Sequence, residues 1–293
     1  MQLHLPLRRL ARQNRNFLAN AVGYLADAGI RQFIDLGSGL PTAQNTHQVA
    51  QAVAPDARVV YVDNDPMAAS HAGALLADGR GVMAVRADLA DPEPILDTPG
   101  VRDQIRPDAP TGVVLAMVLH FFDAGTAGRI VADWAQAVAP GSALVVSCGS
   151  GDDQSAGRIA REYQAAELHN HSRAQIAAWL DGLEIMDPPG LVDAHRWFPG
   201  RQVRAPSGRG AHVLAAIALK PLTPVPDPGQ HEGRASASHS FVPAYCCLLA
   251  WRCLQLWSTS RRIDLACEDR RLARRLVPGR VPRLCCRCSV ARC

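Results

Sequence analysis

The sequence contains no run of 18 consecutive uncharged apolar residues, and its N-terminus has no continuous apolar segment. The first absence argues against a membrane-spanning helix, and the second argues against a secretory signal peptide. Cysteine is nearly absent from residues 1–220, where Cys148 stands alone, so a small disulfide-stapled scaffold is excluded. Lysine is also rare, since the sequence has one lysine, Lys220, and 30 arginines. This bias is typical of a GC-rich genome and is no sign of nucleic-acid binding. We therefore expect a cytoplasmic protein without a membrane or nucleic-acid partner.

Charge and cysteine divide the chain near residue 220. Residues 1–220 carry a net charge of −3, whereas residues 221–293 carry +7 and eight of the nine cysteines. The second segment opens with the proline-rich string PLTPVPDPGQ, which is typical of an extended linker. Its cysteines do not form the two C-x-x-C pairs of a zinc site, and we predict no metal centre. The predicted regions are an N-terminal helix (1–28), a folded domain (29–220) and a linker with a Cys/Arg-rich tail (221–293) that is disordered or non-native.

The first 220 residues alternate between short β-rich runs and helical windows, beginning with an amphipathic helix over 7–27 that Gly29 ends. Most of the strand runs are apolar on both faces, as in strands covered by helices on each side. This alternation predicts a doubly wound, mostly parallel α/β sheet of seven strands with helices on both faces. The predicted strands are 32–36, 58–62, 82–86, 112–119, 143–148, 183–186 and 212–219. The predicted helices between them are 44–54, 66–77, 92–105, 125–138, 154–168 and 172–181.

The most informative motif, FIDLGSGLPT, lies where the first strand ends. Gly37 and Gly39 allow the backbone to pass close to a ligand in conformations that a Cβ forbids. A dinucleotide site would place a third glycine where Thr42 stands, and a phosphate-binding loop would need a lysine. Asp35 instead precedes the first glycine by two residues. A carboxylate there repels a pyrophosphate but suits the cationic amino end of S-adenosyl-L-methionine, while a tight turn between strand and helix gives the same pattern.

Two further acids follow the second and third strands. Asp63 ends the second strand, 24 residues after Gly39, where a carboxylate can accept hydrogen bonds from both hydroxyls of a ribose. Its alternative role is to cap the helix that begins at Pro66. Asp88 follows the third strand, where it can accept from an adenine amino group while Leu89 covers the ring. Because the carboxyl ends of parallel strands meet at one edge of the sheet, these acids predict one shared ligand site.

Together these strings resemble the class I S-adenosyl-L-methionine-dependent methyltransferases, and more narrowly an actinobacterial family of such enzymes. The resemblance rests on GIRQFIDLGSGLPTAQNTH, VAPDARVVYVDNDP, ADLADPEPIL and APGSALVVS, with NRNFL, VLHF and ALKP in the matching order. It implies a Rossmann-like fold and S-adenosyl-L-methionine as cofactor. The residues that it implies around the cofactor are Asp35, Gly37, Ser38, Gly39 and Leu40 at the methionine portion, Asp63 and Asn64 at the ribose, and Asp88 and Leu89 at the adenine.

This chain differs from that family in two features. Its members carry an N-terminal segment with a Tyr-Asp…Leu-Gly-Gly-Lys pattern ahead of the NRxFL string, and this chain begins after it. We therefore expect the helix over 1–28 to be a truncated part of a cap over the cofactor pocket. The region after Pro221 has no counterpart in the family, which is a further reason to expect a non-native extension there.

His120 is the candidate catalytic residue. It follows the fourth strand in VLHF, where it can act as a general base toward a methyl acceptor or simply form part of the pocket wall. A base is optional in methyl transfer, since positioning and desolvation can supply most of the rate. Weaker candidates are Arg15 and Asn16, which can reach the cofactor carboxylate or lie at the surface, and Tyr163, His169 and His171, which can line a substrate pocket or form a solvated helix face.

We predict a methyltransferase that moves a methyl group from S-adenosyl-L-methionine to a small-molecule oxygen, nitrogen or carbon nucleophile. Two alternatives stay open at this stage. An NAD-dependent oxidoreductase shares the fold, but Thr42 and Asp35 argue against it. A non-catalytic nucleotide-binding protein or degenerate paralogue belongs to a different class, and direct measurement of cofactor binding separates the three.

Overall fold

The structure is a computed structural model that describes residues 5–39, 44–68, 81–162, 166–203 and 210–222. It begins with helix α1 (Leu5–Asp27). Gly29 ends this helix with a φ of +106°, and the Ile30 amide donates back to the Leu25 carbonyl at 2.9 Å. Glycine adopts this left-handed conformation without the steric cost that a side chain would bring. Among the described residues, no helix is both long and apolar enough to cross a membrane.

The described strands form one sheet in the order β3-β2-β1-β4-β5-β8-β6, with β7 paired to β8 outside this path. The pairs among β1 to β5 are parallel, and the pairs that β8 makes with β5, β6 and β7 are antiparallel. The predicted mostly parallel, doubly wound sheet is confirmed, and the one strand that the prediction of seven did not include is the two-residue β7. The strands are β1 (Gln32–Leu36), β2 (Arg58–Asp63), β3 (Val82–Arg86), β4 (Gly112–Ala116), β5 (Ala143–Ser150), β6 (Glu184–Ile185), β7 (Val192–Asp193) and β8 (His212–Leu219).

The helices that follow α1 differ from the predicted windows in several places. The window over 92–105 is two helices, because Pro99 starts a new one after Thr98, and the window over 66–77 is described only to residue 68. The helix predicted over 154–168 extends too far, since residues 166–172 are not helical. There the His169 amide instead donates to the His120 carbonyl at 2.8 Å. The helices are α2 (Thr46–Val53), α3 (Pro92–Asp97), α4 (Pro99–Gln104), α5 (Ala124–Ala137), α6 (Asp153–Glu162) and α7 (Arg173–Ala178), with 3-10 helices at Leu119–Phe121 and Ala194–Arg196.

Strand β4 ends three residues before the predicted boundary at residue 119. Met117 has a φ of +58°, which a strand cannot contain, and the 3-10 helix Leu119–Phe121 follows it. The Met117 amide donates to the Ser147 carbonyl at 2.9 Å and to Ser147 Oγ at 3.1 Å. This turn carries residues 117–121 to the edge of the sheet instead of extending the strand.

Apolar side chains cover both faces of the sheet. Ile34 and Val60 contribute to the core on one face, and their chain neighbours Phe33 and Val59 contribute to the core on the other. Helix α1 covers the second face, where its Phe17 ring makes an edge-to-face contact with Trp197 at 5.1 Å between ring centres. Burial of large side chains such as these is worth about 1.5–3 kcal/mol each. The same packing positions the N-terminal half of α1 beside the carboxyl ends of the parallel strands.

Candidate active site

A cavity of about 660 Å³ opens at the carboxyl ends of β1, β4 and β5. The strand order reverses between β1 and β4, and open α/β sheets bind their ligands at such a switch point. The volume lies within the range that small-molecule sites occupy. One side of the cavity, the strand-edge wall, consists of Asp35, Gly37, Ser38, Gly39, Thr46 and Tyr61. Helices α1 and α6 contribute a set of aliphatic side chains, the helical wall, together with the polar Asn14, Arg15 and Asp153. The helical wall consists of Leu7, Leu10 and Leu18 from α1 with Ala156, Ile159 and Ala160 from α6.

The two glycines of the strand-edge wall have similar backbones but different surroundings. Gly37 and Gly39 have φ values of +66° and +62°, in the left-handed region that favours glycine. A Cβ on Gly37 would lie 2.5 Å from Val118 Cγ2, whereas a Cβ on Gly39 would meet no atom within 4 Å. Gly37 is therefore required by close packing, and Gly39 leaves open space beside the backbone of the turn.

The backbone amides of this glycine turn already have protein acceptors. The Gly37 and Ser38 amides both donate to the Val62 carbonyl, at 2.8 and 3.3 Å, and the Gly39 amide donates to Asp63 Oδ2 at 2.7 Å. A phosphate-binding loop presents free amides to its anion. This turn therefore lacks the chemistry for a pyrophosphate and instead presents carboxylate oxygens.

Asp35 is the buried acid of the site, with 7% of its surface exposed. Burial raises the pKa of its carboxyl to about 6, and the nearby Asp63 adds to the rise, while the hydrogen bond from Thr46 opposes it. Thr46 Oγ1 donates to Asp35 Oδ2, and the neighbouring Tyr61 hydroxyl accepts from the His47 amide at 2.9 Å. Burial also raises the pKa of Tyr61, with the charge of Asp35 as the second cause. A ligand cation beside Asp35 would compensate a carboxylate that has little access to water.

Asp63 lies at the end of β2, as predicted, and both of its oxygens are engaged. Oδ2 accepts from the Gly39 amide and Oδ1 accepts from the Asp65 amide at 2.9 Å. A carboxylate has about four acceptor positions, so two remain for hydroxyl donors. Asn64 is exposed beside it, and its carbonyl accepts from Arg86 Nε at 3.3 Å. Neither side chain borders the cavity itself.

Asp88 and Leu89, the two predicted adenine-binding residues that follow β3, lie behind the glycine turn. Asp88 is exposed and its Oδ1 accepts from the Ala90 amide at 2.9 Å. Leu89 is buried in the core, and one of its methyl groups lies 3.5 Å from the position of a Cβ on Gly37. Its carbonyl accepts from Trp134 Nε1 at 2.8 Å, which holds this strand end against α5. Leu40 and Tyr163 fall outside the described residues, so their predicted roles stay predictions.

His120 borders the cavity from the 3-10 helix that follows β4. Its Nδ1 is buried and has no hydrogen-bond partner among the described residues; a Cβ built on Gly149 of β5 would lie 3.9 Å from it. Burial, with a contribution from His171, lowers the pKa of His120 to about 4. The imidazole is therefore neutral at physiological pH.

Helix α1 contributes polar groups to the cavity that the sequence motifs did not identify. Asn14 borders the cavity and its Oδ1 accepts from Ser147 Oγ at 2.6 Å, which ties α1 to β5. Arg15 also borders the cavity, whereas Asn16 is exposed and does not. Hydrogen bonds such as Asn14–Ser147 link positions 133 residues apart, so no local pattern could have found them.

The sheet topology is that of the class I S-adenosyl-L-methionine-dependent methyltransferases, and comparison with known proteins identifies the chain as one of them. The S-adenosyl methyltransferase family matches residues 2–221, and the chain belongs to this family. It is similar to a candidate methyltransferase from Thermobifida fusca YX, with 39% identity over 73% of this chain and 83% of the other and a TM-score of 0.64. It is also similar to a DUF574 family protein from Streptomyces avermitilis MA-4680, with 37% identity over 72% of this chain and 83% of the other and a TM-score of 0.61. No curated protein matches the chain.

Family membership confirms the resemblance and the predicted enzyme class and cofactor. The chain is an S-adenosyl-L-methionine-dependent methyltransferase, and the alternative of an NAD-dependent oxidoreductase is wrong. The individual site residues stay predictions, to which the geometry adds Asn14, Thr46, His47 and Tyr61.

Proposed function

We propose that this enzyme methylates a small-molecule acceptor in the cytoplasm, with the cofactor along the strand-edge wall and the acceptor against the helical wall. The cavity carries this proposal, because its lining combines polar side chains at the strand ends with aliphatic side chains from α1 and α6. A volume of about 660 Å³ has room for the amino acid end of the cofactor together with a compact second molecule, and the nucleoside would extend out of the cavity toward Asp63 and Asp88. S-Adenosyl-L-methionine supplies an electrophilic methyl group on a cationic sulfur.

The strand-edge wall fits the amino acid end of that cofactor. Asp35 offers a buried carboxylate to an ammonium group, and the open space beside Gly39 lets a ligand approach the backbone. The amides of Gly37 and Ser38 are occupied by the Val62 carbonyl, so the turn favours a cationic group over a phosphate. Arg15, which has no ion pair among the described residues, would hold the carboxylate of the same amino acid.

Asp63 would hold the ribose with its two remaining acceptor positions, and Asp88 and Leu89 would hold the adenine. The hydrogen bond from the Gly39 amide to Asp63 fixes this carboxylate relative to the glycine turn. An acid held in this way is partly preorganised to receive hydroxyl donors, which lowers the entropy cost of binding them.

The helical wall would hold the carbon skeleton of the acceptor and exclude water from the reacting atoms. Its members are aliphatic, and His120 borders the same cavity. Holding the nucleophile and the methyl carbon in contact can supply most of the rate acceleration of a displacement reaction.

Calorimetric titration of the protein with S-adenosyl-L-homocysteine, S-adenosyl-L-methionine and NAD tests the cofactor half of the proposal. We expect the first two to bind and NAD not to bind. A small-molecule library screened for S-adenosyl-L-homocysteine release then tests the acceptor half. Tight NAD binding, or methyl transfer to proteins or nucleic acids only, would contradict the proposal.

A further inference from the structure

His120 presents its two ring nitrogens to different surroundings. Nδ1 is buried toward β5 with no hydrogen-bond partner among the described residues. The same is not true of Nε2, and the His120 side chain borders the cavity. Because Nδ1 is the buried ring nitrogen, we infer that Nε2 is the one that a molecule in the cavity can reach.

The tautomer of His120 follows from this difference. A proton on Nδ1 would be a buried donor without an acceptor, a situation that folded proteins avoid more strictly than an unfilled acceptor. A proton on Nε2 can be donated into the cavity. A neutral ring with its proton on Nε2 leaves its lone pair on the buried Nδ1, which lies 3.9 Å from the position of a Cβ on Gly149.

We propose that His120 donates a hydrogen bond from Nε2 to the methyl acceptor, and that the acceptor is an oxygen acid of apolar skeleton, a phenol or carboxylic acid, bound as its anion. This inference rests on the proposed function and names the acceptor class for the same cavity. A donating Nε2 cannot also remove a proton, so the acceptor would reach His120 already ionised. Carboxylic acids are ionised well below neutral pH and phenols with electron-withdrawing substituents near it, whereas aliphatic alcohols are not.

The lone pairs of the acceptor atom decide between oxygen and nitrogen. An amine nitrogen has one lone pair, so it cannot both accept from His120 and attack carbon. An oxyanion has three, and one of them is enough for the hydrogen bond. A second lone pair forms the oxygen–methyl bond while the carbon–sulfur bond breaks and its electron pair returns to sulfur. The products are a methyl ether or ester and S-adenosyl-L-homocysteine, and no proton moves in this step.

The helical wall is the reason to expect an apolar skeleton. Leu10, Leu18 and Ile159 face the same cavity as His120, and none of them offers a polar group. A ring or short hydrocarbon body would displace water from these side chains and leave the oxyanion at Nε2.

The tautomer can be observed without any methyl transfer. In the full chain labelled with ¹⁵N-histidine, the His120 resonances are assigned by their loss in His120→Gln. We expect the chemical shift of Nε2 to be that of a protonated nitrogen and that of Nδ1 to be that of an unprotonated one. The reverse assignment would overturn the donor role.

Kinetics with a matched set of acceptors test the substrate class. Substituted phenols and benzoic acids are compared with anilines of the same shape, and S-adenosyl-L-homocysteine formation is measured. We expect methyl ethers or esters from the first two and no product from the anilines. Methylation of anilines, or of none of these compounds by a protein that binds S-adenosyl-L-homocysteine, counts against the inference. Failure to bind S-adenosyl-L-homocysteine counts instead against the proposed function.

Variants at His120 separate a donor from a base. The amide group of His120→Gln can donate near the position of Nε2, whereas His120→Ala cannot. We expect kcat/KM to fall about 10- to 100-fold in His120→Ala and to recover most of that loss in His120→Gln. Equal loss of kcat/KM in His120→Ala and His120→Gln would overturn the proposal, because an amide can replace a hydrogen-bond donor but not a base. His195→Gln is the matched control, because His195 is exposed and does not border the cavity.

Discussion

The strand-edge wall and the helical wall of the cavity differ in the state of their polar groups. On the strand-edge wall, Asp35 accepts from Thr46 and Tyr61 accepts from the His47 amide, while Asp63 behind it accepts from Gly39. The helical wall is aliphatic and is carried by two helices that lie far apart in sequence. Polar groups with fixed partners suit a ligand that is the same in every turnover. An apolar surface discriminates by shape, so acceptor selectivity should depend on α1 and α6.

The largest effect is expected at the buried acid of the strand-edge wall. Asp35→Asn keeps the shape of the side chain but removes the charge that would face the cofactor ammonium. We expect affinity for S-adenosyl-L-methionine to fall by about 100-fold or more, measured by calorimetry. If affinity changed less than threefold, Asp35 would not contact the ammonium group.

The same variant makes a prediction about stability. Because burial raises the pKa of Asp35 from 3.8 to about 6, the folded protein binds more protons than the unfolded chain between these values. This residue therefore lowers the free energy of unfolding as the pH rises through that window, and the loss is complete above pH 6. We expect Asp35→Asn to be about 2 kcal/mol more stable than the parent protein at pH 8 and to show no gain near pH 3.5, as measured by urea unfolding.

A smaller loss of cofactor affinity is expected for Asp63→Ala. This variant removes the ribose acceptor and also the partner of the Gly39 amide. We expect affinity to fall about 10- to 100-fold. Asp65→Ala is the matched control, because the Asp65 carboxylate accepts from the Met67 amide at 2.8 Å and is exposed. Equal losses in the two variants would assign Asp63 to local backbone structure rather than to the ligand.

The two glycines separate packing from ligand contact within the strand-edge wall. Alanine at either position is strained by the positive φ, but only at Gly37 does the new methyl group meet Val118. We expect Gly37→Ala to lose about 2–4 kcal/mol of unfolding free energy and Gly39→Ala to lose about 1 kcal/mol. Gly39→Ala, whose methyl group enters open space, should instead lose about tenfold in cofactor affinity. Equal losses of unfolding free energy and of cofactor affinity in the two variants would contradict this separation of packing from ligand contact.

The smallest effect is expected on the helical wall. Ala156→Leu adds volume on the cavity side of α6, so KM for the acceptor should rise about threefold to tenfold while cofactor affinity stays unchanged. Gln154→Leu, on the exposed side of the same helix, is the control. A matching change in cofactor affinity would show that the two walls do not divide the ligands as proposed.

The sequence predicted the parts of the fold and site that depend on local patterns. The alternation of strands and helices gave the sheet, and the spacing of Asp35, Gly37 and Gly39 located the glycine turn. The predicted end of β4 was wrong because Met117 adopts a positive φ, which cannot be predicted from a methionine in the sequence. Thr46 and Asn14 were missed because their partners, Asp35 and Ser147, are distant in sequence or lie on other elements.

The hydrogen bond between the Gly39 amide and Asp63 has a consequence for fragments of the cofactor. It joins the turn proposed for the methionine end to the carboxylate proposed for the ribose, across 24 residues of sequence. A fragment that orders one of these loops should lower the entropy cost of ordering the other. Methionine and adenosine, added as separate molecules, should therefore bind with positive cooperativity, each raising the affinity for the other by the same factor. In Asp63→Ala, where this bond is absent, that mutual enhancement should vanish even if weak binding of methionine persists.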